Sequence, residues 1–158
     1  MVDRIYAPWR SKYFSLEKGK GCLFCEIQKE EDEKVGILKR GENWFIILNS
    51  FPYTSGHVMV VAKRHIDRLA ELTEEEANEL ITLLKLCEKA IDGAYKPDGI
   101  NIGVNRGSSA GAGIVGHLHF HMVPRWNGDT NFMTTLADTR VVSEALEDSY
   151  KKLLPYFA

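Results

Sequence analysis

The sequence predicts an α+β fold built on an antiparallel sheet of about five strands, with one long central helix and a C-terminal helix. Short segments with strand character follow one another and are separated by turn residues. A single long stretch with helical spacing lies between the third and the fourth of them. Strands that follow one another without alternating helices favour an antiparallel sheet over a doubly wound parallel one. The predicted strands are residues 37–39, 44–48, 58–61, 100–104 and 117–123.

The boundaries of the strands are marked by residues that break regular structure. Residues 41–43, Gly-Glu-Asn, separate the first two strands, and the loop 51–56 leads into the third. The third strand is a continuous apolar run that ends at Lys63-Arg64-His65. The fifth strand alternates from His117 onward and is predicted to stop at Pro124.

The long helix begins with a capping box formed by Thr73 and Glu76. Apolar residues then recur at helical spacing, which predicts a helix over about residues 74–94. Cys87 lies on the apolar stripe of this helix, so we interpret it as a core residue.

The length of 158 residues suits a single domain. We divide this domain into an N-terminal arm (1–20), a core (21–126) and a C-terminal segment (127–158). The arm is aromatic and has no regular periodicity, so it is predicted to pack on its own domain or to lie across a partner subunit. Apolar spacing within residues 141–154 predicts a C-terminal helix after Asp138.

Charge and composition exclude several classes of protein. Lys and Arg number 20 against 22 Asp and Glu, and this balance argues against broad binding to nucleic acid. No apolar run reaches the roughly 18–20 residues that span a bilayer. The N-terminus has no apolar stretch of the kind found in a signal peptide. The sequence therefore predicts a cytoplasmic protein with neither a membrane nor a nucleic-acid partner.

The most informative stretch is His117-Leu118-His119-Phe120-His121-Met122. Alternate residues of a strand point to the same face, so the three imidazoles share one face, about 6–7 Å apart along the strand. The apolar residues between them can anchor the strand in the core. Imidazole acts as a nucleophile, a base or a metal ligand near neutral pH. A catalytic face is the favoured interpretation, ahead of a purely metal-binding face and of a strand with three histidines by chance.

Directly upstream lies a loop rich in small residues. Residues 107–113 read Gly-Ser-Ser-Ala-Gly-Ala-Gly. Such a loop can bring backbone N–H groups and hydroxyls close to a phosphate. A Gly-rich loop is a weak signal alone, but beside a face of histidines it predicts a phosphate site.

Cys22 and Cys25 form a C-x-x-C pair, which supplies two thiolates from one turn. A zinc site and a redox pair are the two competing interpretations. A redox pair normally opens a helix after a strand in a βαβ unit, which the sequence does not predict here. Zinc is therefore favoured, and a disulfide framework is not expected from three cysteines in a cytoplasmic protein.

The stretch from His117 to Val123 resembles the His-x-His-x-His motif of the histidine triad (HIT) superfamily. The resemblance extends over about residues 21–126 and implies a HIT-like fold, an antiparallel sheet with a long helix, usually as a homodimer whose sheets join. The further segments that carry it are Leu48-Asn49, Gly56-His57-Val58-Met59-Val60-Val61, Lys63-Arg64-His65, Asn105 and Pro124-Arg125.

The resemblance also implies roles for individual residues. His119 would be the nucleophile and would form a covalent nucleotidyl-histidine. His121 would contact the phosphate and assist the leaving group, and the carbonyl region around His117 would orient His119. Asn105 would lie beside the phosphate, and Asn49 would meet the ribose hydroxyls.

One position departs from several hydrolase and phosphoramidase branches of the family. Those branches carry Gln or Ser, aimed at the phosphate, where this chain has Gly113 and Ile114. Backbone amides, or the hydroxyls of Ser108 and Ser109, would then supply the donors. The predicted nucleotide- and phosphate-binding residues are Asn49, Asn105, Ser108, Ser109, Gly111 and Gly113.

Many family members with the Cys pair complete a zinc site with a histidine after the third strand and with the first histidine of the triad. The resemblance thus implies a structural zinc ion bound by Cys22, Cys25, His65 and His117. Four protein ligands leave no open position for water, so such a site is not catalytic. We interpret His57, next to Gly56, as structural rather than catalytic.

Three further segments resemble the bacterial diadenosine polyphosphate phosphorylases of this superfamily: residues 7–10, the loop 109–113 and the tail 123–132. This resemblance implies a nucleotidyltransferase that passes the nucleotide from histidine to inorganic phosphate, so that diadenosine tetraphosphate yields ADP and ATP. One alternative is a HIT-type hydrolase that releases AMP from dinucleoside polyphosphates or nucleoside phosphoramidates. A second alternative is a nucleotide-binding module with little turnover.

Overall fold

A computed structural model describes residues 21–130 and 141–158. The N-terminal arm, and with it the prediction made for the arm, lies outside the described residues. The described strands form one five-stranded antiparallel sheet in the order β1-β2-β3-β5-β4, which confirms the predicted α+β fold. The strands are β1 Ile37–Arg40, β2 Trp44–Leu48, β3 Val58–Ala62, β4 Gly99–Val104 and β5 His119–Arg125.

One long helix accompanies the sheet, as predicted. It begins with the expected capping box: the Thr73 hydroxyl accepts the Glu76 N–H at 3.2 Å, and the Glu76 carboxylate accepts the Thr73 N–H at 2.9 Å. Its end at Tyr95 differs from the predicted end by one residue. The helices are α1 Leu23–Ile27, α2 Asp32–Val35, α3 Glu74–Tyr95 and α4 Leu146–Leu153, with single 3₁₀ turns at Leu69–Glu71, Ser108–Ala110 and Leu154–Phe157.

The two faces of the sheet are covered differently. Helices α3 and α4 pack on one face, where Cys87 is fully buried in the core as predicted. A smaller apolar cluster covers the other face and centres on Phe24 of α1. Leu118 and Met122 belong to the helix-side core, so the three histidines between and beside them are directed to the face of α1. The sequence-based assignment of the two faces is therefore confirmed.

The bounds predicted for the fifth strand are wrong at both ends. β5 begins at His119, because β3 ends at Ala62 and the Leu118 N–H turns to the Ile66 carbonyl at 2.6 Å. The strand then continues through Pro124, which pairs with Ile100 of β4. The Pro124 carbonyl accepts the Thr54 hydroxyl at 2.7 Å, beyond the last pair between β3 and β5. The missing N–H of proline therefore costs the sheet no hydrogen bond.

The C-terminal helix also begins later than predicted. It starts at Leu146, several residues after Asp138. The Glu144 carboxylate accepts hydrogen bonds from the hydroxyls of Tyr95 and Ser149, which ties the preceding segment to the end of α3. The residues from 141 to 145 are irregular, and Val141 exposes 61% of its surface, so the apolar pattern before Leu146 does not correspond to a helix.

Strands β1 and β4 form the two edges of the sheet. β4 is mostly exposed, and Ile102 on it exposes 51% of its surface. Within the described residues, no helix is both long enough and apolar enough to cross a membrane.

Candidate active site

All five histidines of the chain lie in one row of contacts along the face of α1. The ring of His65 lies 5.2 Å from that of His117, and the His119 and His121 rings are 4.9 Å apart. His57 continues the row, with its ring 5.1 Å from His121. Sheet pairing sets this arrangement, because His119 faces Val61 and His121 faces Met59 on the neighbouring strand. The predicted histidine face is therefore present.

The ring of His119 is held in one tautomer by the backbone. Its Nδ1 lies 2.7 Å from the carbonyl oxygen of His117. A carbonyl only accepts, so Nδ1 carries the proton and Nε2 keeps a free lone pair. The ring packs on Phe24, with centroids 5.0 Å apart, and only 3% of the residue is exposed. This arrangement leaves a neutral, rigidly held ring nitrogen that is chemically able to act as a nucleophile.

His57 and His121 form a directed pair of imidazoles. The Tyr53 N–H donates to His57 Nδ1 at 3.1 Å, so a neutral His57 carries its proton on Nε2. That Nε2 lies 3.0 Å from His121 Nδ1 and donates to it. His121 is thereby left with its own proton on Nε2. The triad thus holds a free lone pair on His119 next to an N–H donor on His121.

Burial keeps these imidazoles neutral at pH 7. It lowers the pKa of His57 to about 3, with smaller contributions from the charges of His121 and His119. Burial, followed by the nearby His119, lowers the pKa of His121 to about 4. The pKa of His119 is also lowered by burial, although its hydrogen bond to the His117 carbonyl opposes the shift. The tautomers described above therefore apply at physiological pH.

His117 uses its two ring nitrogens for different purposes. Nε2 lies 2.7 Å from the Ala62 carbonyl and carries the proton, so the Nδ1 lone pair is free. This Nδ1 faces Cys22 Sγ at 3.1 Å, Cys25 Sγ at 3.7 Å and His65 Nδ1 at 3.3 Å. The four predicted metal ligands are therefore brought together at one end of the histidine row.

The dimensions of this cluster fit a tetrahedral zinc ion. One ligand atom from each of Cys22, Cys25, His65 and His117 lies within 4.8 Å of the others. With Zn–S of about 2.3 Å and Zn–N of about 2.0 Å, tetrahedral ligand atoms lie about 3.3–3.8 Å apart. The observed N···S and N···N separations fall close to that range. Two thiolates and two imidazoles are also the donor set of structural zinc sites.

The predicted ribose contact, Asn49, lies at the other end of the row. Its Oδ1 accepts the Phe51 N–H at 2.8 Å, and its amide nitrogen lies 3.4 Å from both ring nitrogens of His57. It is only 9% exposed. In this structure the Asn49 side chain thus braces the loop that carries His57, and it borders the pair formed by His57 and His121.

The predicted phosphate residues lie on the loop between β4 and β5. Ser108 and Ser109 are exposed on a 3₁₀ turn, and Asn105 lies at the start of the loop. Gly111 has φ +86°, which strongly favours glycine, and its N–H donates to the Ser108 carbonyl at 3.0 Å. Gly113 is exposed near the end of the loop.

Three residues of the site were missed or undervalued by sequence reasoning. His57, which we interpreted as structural, lies in direct contact with His121. Tyr53 lies against both of them, with ring centroids at 4.8 Å from His57 and 6.1 Å from His121. Phe24 contacts both His117 and His119. Two features of the sequence could have indicated them: His57 follows Gly56 directly before β3, and Phe24 lies between the two cysteines.

Comparison with known proteins agrees with this site. The HIT domain family model matches residues 29–128. The chain is 34% identical over 166 residues to an AP-4-A phosphorylase of Mycobacterium tuberculosis, covering 99% of this chain and 85% of that protein.

Two solved structures resemble it closely. One is a hypothetical histidine triad nucleotide-binding protein from Sulfolobus tokodaii, with a TM-score of 0.68 and 30% identity over 86% of this chain and 91% of that one. The other is a Zn-bound histidine triad family protein from Mycobacterium smegmatis, with a TM-score of 0.69 and 27% identity over 87% and 93% of the two chains. With the fold, the histidine row and well over half of its length matched by the family model, the chain belongs to the histidine triad (HIT) family.

Proposed function

We propose that the protein is a nucleotidyltransferase that acts at the α-phosphate of a dinucleoside polyphosphate and passes the nucleotide to inorganic phosphate. The observation that carries this proposal is the fixed tautomer of His119, whose Nδ1 proton is held by the His117 carbonyl at 2.7 Å. The free Nε2 is thereby kept ready to attack phosphorus.

In the first half-reaction, His119 Nε2 attacks the α-phosphorus of diadenosine tetraphosphate. An N–P bond forms, the bridging P–O bond breaks, and ATP leaves with the electron pair. His121 stabilises the departing oxygen by a hydrogen bond from its Nε2–H. A neutral donor is sufficient, because the leaving oxygen becomes a terminal phosphate with a second pKa of about 6 and needs no full protonation at pH 7.

In the second half-reaction, an oxygen of inorganic phosphate attacks the same phosphorus. The N–P bond breaks, ADP is released and the lone pair returns to His119 Nε2. The net reaction converts diadenosine tetraphosphate and phosphate into ADP and ATP. The nucleotide is carried on the enzyme, so each displacement is simpler than a direct exchange between two polyanions.

The loop between β4 and β5 would hold the phosphates. Ser108 and Ser109 present exposed hydroxyls there, Asn105 would donate from its amide, and the Gly111 and Gly113 region would allow close approach of the chain. Ile114 at the end of the loop packs on the apolar cluster that contains Phe24. The loop therefore returns to the histidine face, which supports its role beside the α-phosphate.

Asn49 borders His57 at the edge of the same face, which supports a contact with the ribose hydroxyls. The adenine base would lie against apolar side chains near the nucleophile, where Phe24 contacts His119 and Ile27 is half-buried. Apolar surface with a few convergent polar groups is the usual lining of a nucleotide pocket.

The Cys and His cluster would hold a structural zinc ion through Cys22, Cys25, His65 and His117. Zinc, when bound, supplies a cross-link between α1, the segment after β3 and the segment before β5. The other three ligands would then hold His117 in place, and with it the backbone carbonyl that orients the His119 ring.

We further propose a homodimer in which sheets join. β4 is an edge strand with exposed backbone and with Ile102 at 51% exposure, a surface that natural proteins usually cover.

The preference for phosphate as second acceptor rests on full-length similarity. The 34% identity to the mycobacterial AP-4-A phosphorylase extends over 99% of this chain. The first half-reaction is common to phosphorolysis and hydrolysis, so only the second acceptor separates them.

The test is incubation of the purified protein with diadenosine tetraphosphate, with and without inorganic phosphate, followed by chromatography of the nucleotides. ADP and ATP that form only when phosphate is present would support the proposal. AMP and ATP in both samples would assign a hydrolase instead. Binding without turnover in either sample would assign a nucleotide-binding module.

A further inference from the structure

Tyr53 stands out among the residues that the histidine triad does not account for. It lies on the loop between β2 and β3 and exposes 44% of its surface, although it is adjacent to two buried or half-buried imidazoles. Its ring is tilted by 37° over His57 at 4.8 Å and lies nearly parallel to His121, at 25° and 6.1 Å. One face of the histidine pair is therefore covered by an aromatic ring at the protein surface.

The backbone around Tyr53 is fixed by its neighbours. Its N–H donates to His57 Nδ1 at 3.1 Å. Thr54 is bonded through its hydroxyl to the Pro124 carbonyl, and the Thr54 carbonyl accepts the His57 N–H at 3.3 Å. The ring is thus carried by an anchored loop, so its position over the pair is set before any substrate binds.

The cover matters because the direction of the hydrogen bond between His57 and His121 is easily lost. Either imidazole can exchange its tautomer if water reaches a ring nitrogen. His57 is fully buried, and Tyr53 is one of the residues that bury it. Without the ring, water could compete at His57 Nε2 and at His121 Nδ1, and His121 would then present a bare nitrogen to the leaving group in part of the molecules.

We propose that Tyr53 is a positioning residue whose ring seals the His57–His121 pair from water and so keeps His121 as an Nε2–H donor toward the leaving group. The part that concerns the leaving group rests on the function proposed above. The part that concerns the tautomer is a property of the resting protein and does not depend on that function.

The titratable groups that face the pair support this assignment. His119 faces His121 from the same strand, and Tyr53 faces both members from the loop. Asn49, at the end of β2, contributes a neutral amide next to His57. None of these three neighbours is a carboxylate, a lysine or an arginine, so exclusion of water rather than an ion pair sustains the neutral donor.

The experiment compares Y53A, Y53F and a control, Y156A. Tyr156 is exposed to nearly the same extent, at 43%, and lies in the C-terminal 3₁₀ turn. The first measurement uses the zinc-loaded protein without substrate and labels its histidine nitrogens with ¹⁵N for NMR. Wild type and Y53F should show His121 in the Nε2–H form, whereas Y53A should show a mixture of tautomers and a His121 that takes up its proton at higher pH.

The second measurement is steady-state turnover of diadenosine tetraphosphate at pH 8. Y53A should lower kcat by about fivefold, the effect expected when one hydrogen bond is weakened, with KM nearly unchanged. Y53F keeps the ring and should recover most of that loss, and Y156A should behave as wild type.

Three results would overturn the proposal. They are a raised KM at constant kcat in Y53A, a loss of kcat in Y53F as large as that in Y53A, and a His121 tautomer in Y53A that matches wild type. Absence of turnover in wild type together with the expected NMR change would overturn the proposed function and not the role of Tyr53.

Discussion

Two histidines of the row, His117 and His119, are oriented by the same device for different chemistry. At one end, the Ala62 carbonyl holds the His117 Nε2 proton, so the Nδ1 lone pair faces two thiols and another imidazole. In the middle, the His117 carbonyl holds the His119 Nδ1 proton, so the Nε2 lone pair is free for attack. The two rings are two residues apart on one strand and present opposite nitrogens. In this chain the role of a histidine is therefore set by which of its nitrogens the backbone occupies, and not by its place in the motif alone.

The metal cluster and the pair of His119 and His121 also differ in which property a substitution would change. Substitution of a metal ligand would lower metal content and stability, because the four ligands connect separate segments of the chain. These ligands are Cys22, Cys25, His65 and His117. His119 and His121 would affect chemistry while leaving the sheet intact.

The largest effect is expected from His119→Ala. Without a nucleophile, turnover should fall by at least about 10⁴-fold, the order of loss seen when a covalent catalyst is removed. The rest of the core is unchanged, so the circular dichroism spectrum and zinc content should match wild type. Substantial residual activity in this variant would remove His119 from the nucleophile role.

Cys22→Ser removes one of the four proposed zinc ligands. Zinc should drop from about one ion per chain to nearly none, with a loss of about 3 kcal/mol in the free energy of unfolding and of about 10 °C in Tm. Cys87→Ala is the matched control, because Cys87 is buried in the helix-side core, away from the cluster, and should retain zinc. Equal zinc content in Cys22→Ser and wild type would refute the site.

The burial of His57 should make the free energy of unfolding depend on pH. Its pKa is about 3 in the folded protein, lowered chiefly by burial, against about 6.5 when unfolded. The unfolded chain therefore binds more protons in this window, and stability is lost as pH falls from about 6.5 toward 3. At pH 5 the loss from His57 is about 2 kcal/mol.

His57→Gln should remove that part of the pH dependence. Urea unfolding of both proteins at pH 7.5 and pH 5, with zinc content matched, measures the difference in slope. If the variant loses as much stability on acidification as wild type, His57 is not held neutral in the folded protein.

The smallest effects are expected from the phosphate loop. Ser108→Ala and Ser109→Ala should each lower kcat/KM by about tenfold, because each removes one hydrogen bond to a charged oxygen. Thr82→Ala, an exposed hydroxyl on α3, is the control and should have no kinetic effect. If both serine variants match the control, the donors in this loop are backbone amides alone.

Much of the fold was predictable because local signals agreed with the tertiary structure. The capping box at Thr73 and the apolar period of α3 placed the long helix to within one residue. Alternation around His119 identified the two faces of β5 correctly. The ends of β5 could not be predicted, since they depend on where β3 stops and on a hydrogen bond from Thr54 to Pro124, 70 residues apart.

The candidate site was predictable as a set of residues but not as an arrangement. The motif and the resemblance indicated the triad and the four metal ligands, which the structure brings together. The assignment of tautomers required the positions of the Ala62 and His117 carbonyls and of the Tyr53 N–H. The contacts of His57 and Tyr53 with His121 could not be predicted, because both residues lie on the loop before β3 and His121 follows His57 by 64 residues, so no local pattern indicates them.

In the proposed reaction, His119 Nε2 carries the nucleotide during turnover. The most direct test mixes the zinc-loaded protein with diadenosine tetraphosphate in the absence of phosphate, quenches in alkali, which preserves a phosphorus–nitrogen bond, and maps the peptides by mass spectrometry. We expect an added adenylyl group on His119, which disappears when inorganic phosphate is supplied before the quench. An adenylyl group on His121, or turnover with no modified peptide at any time, would contradict it.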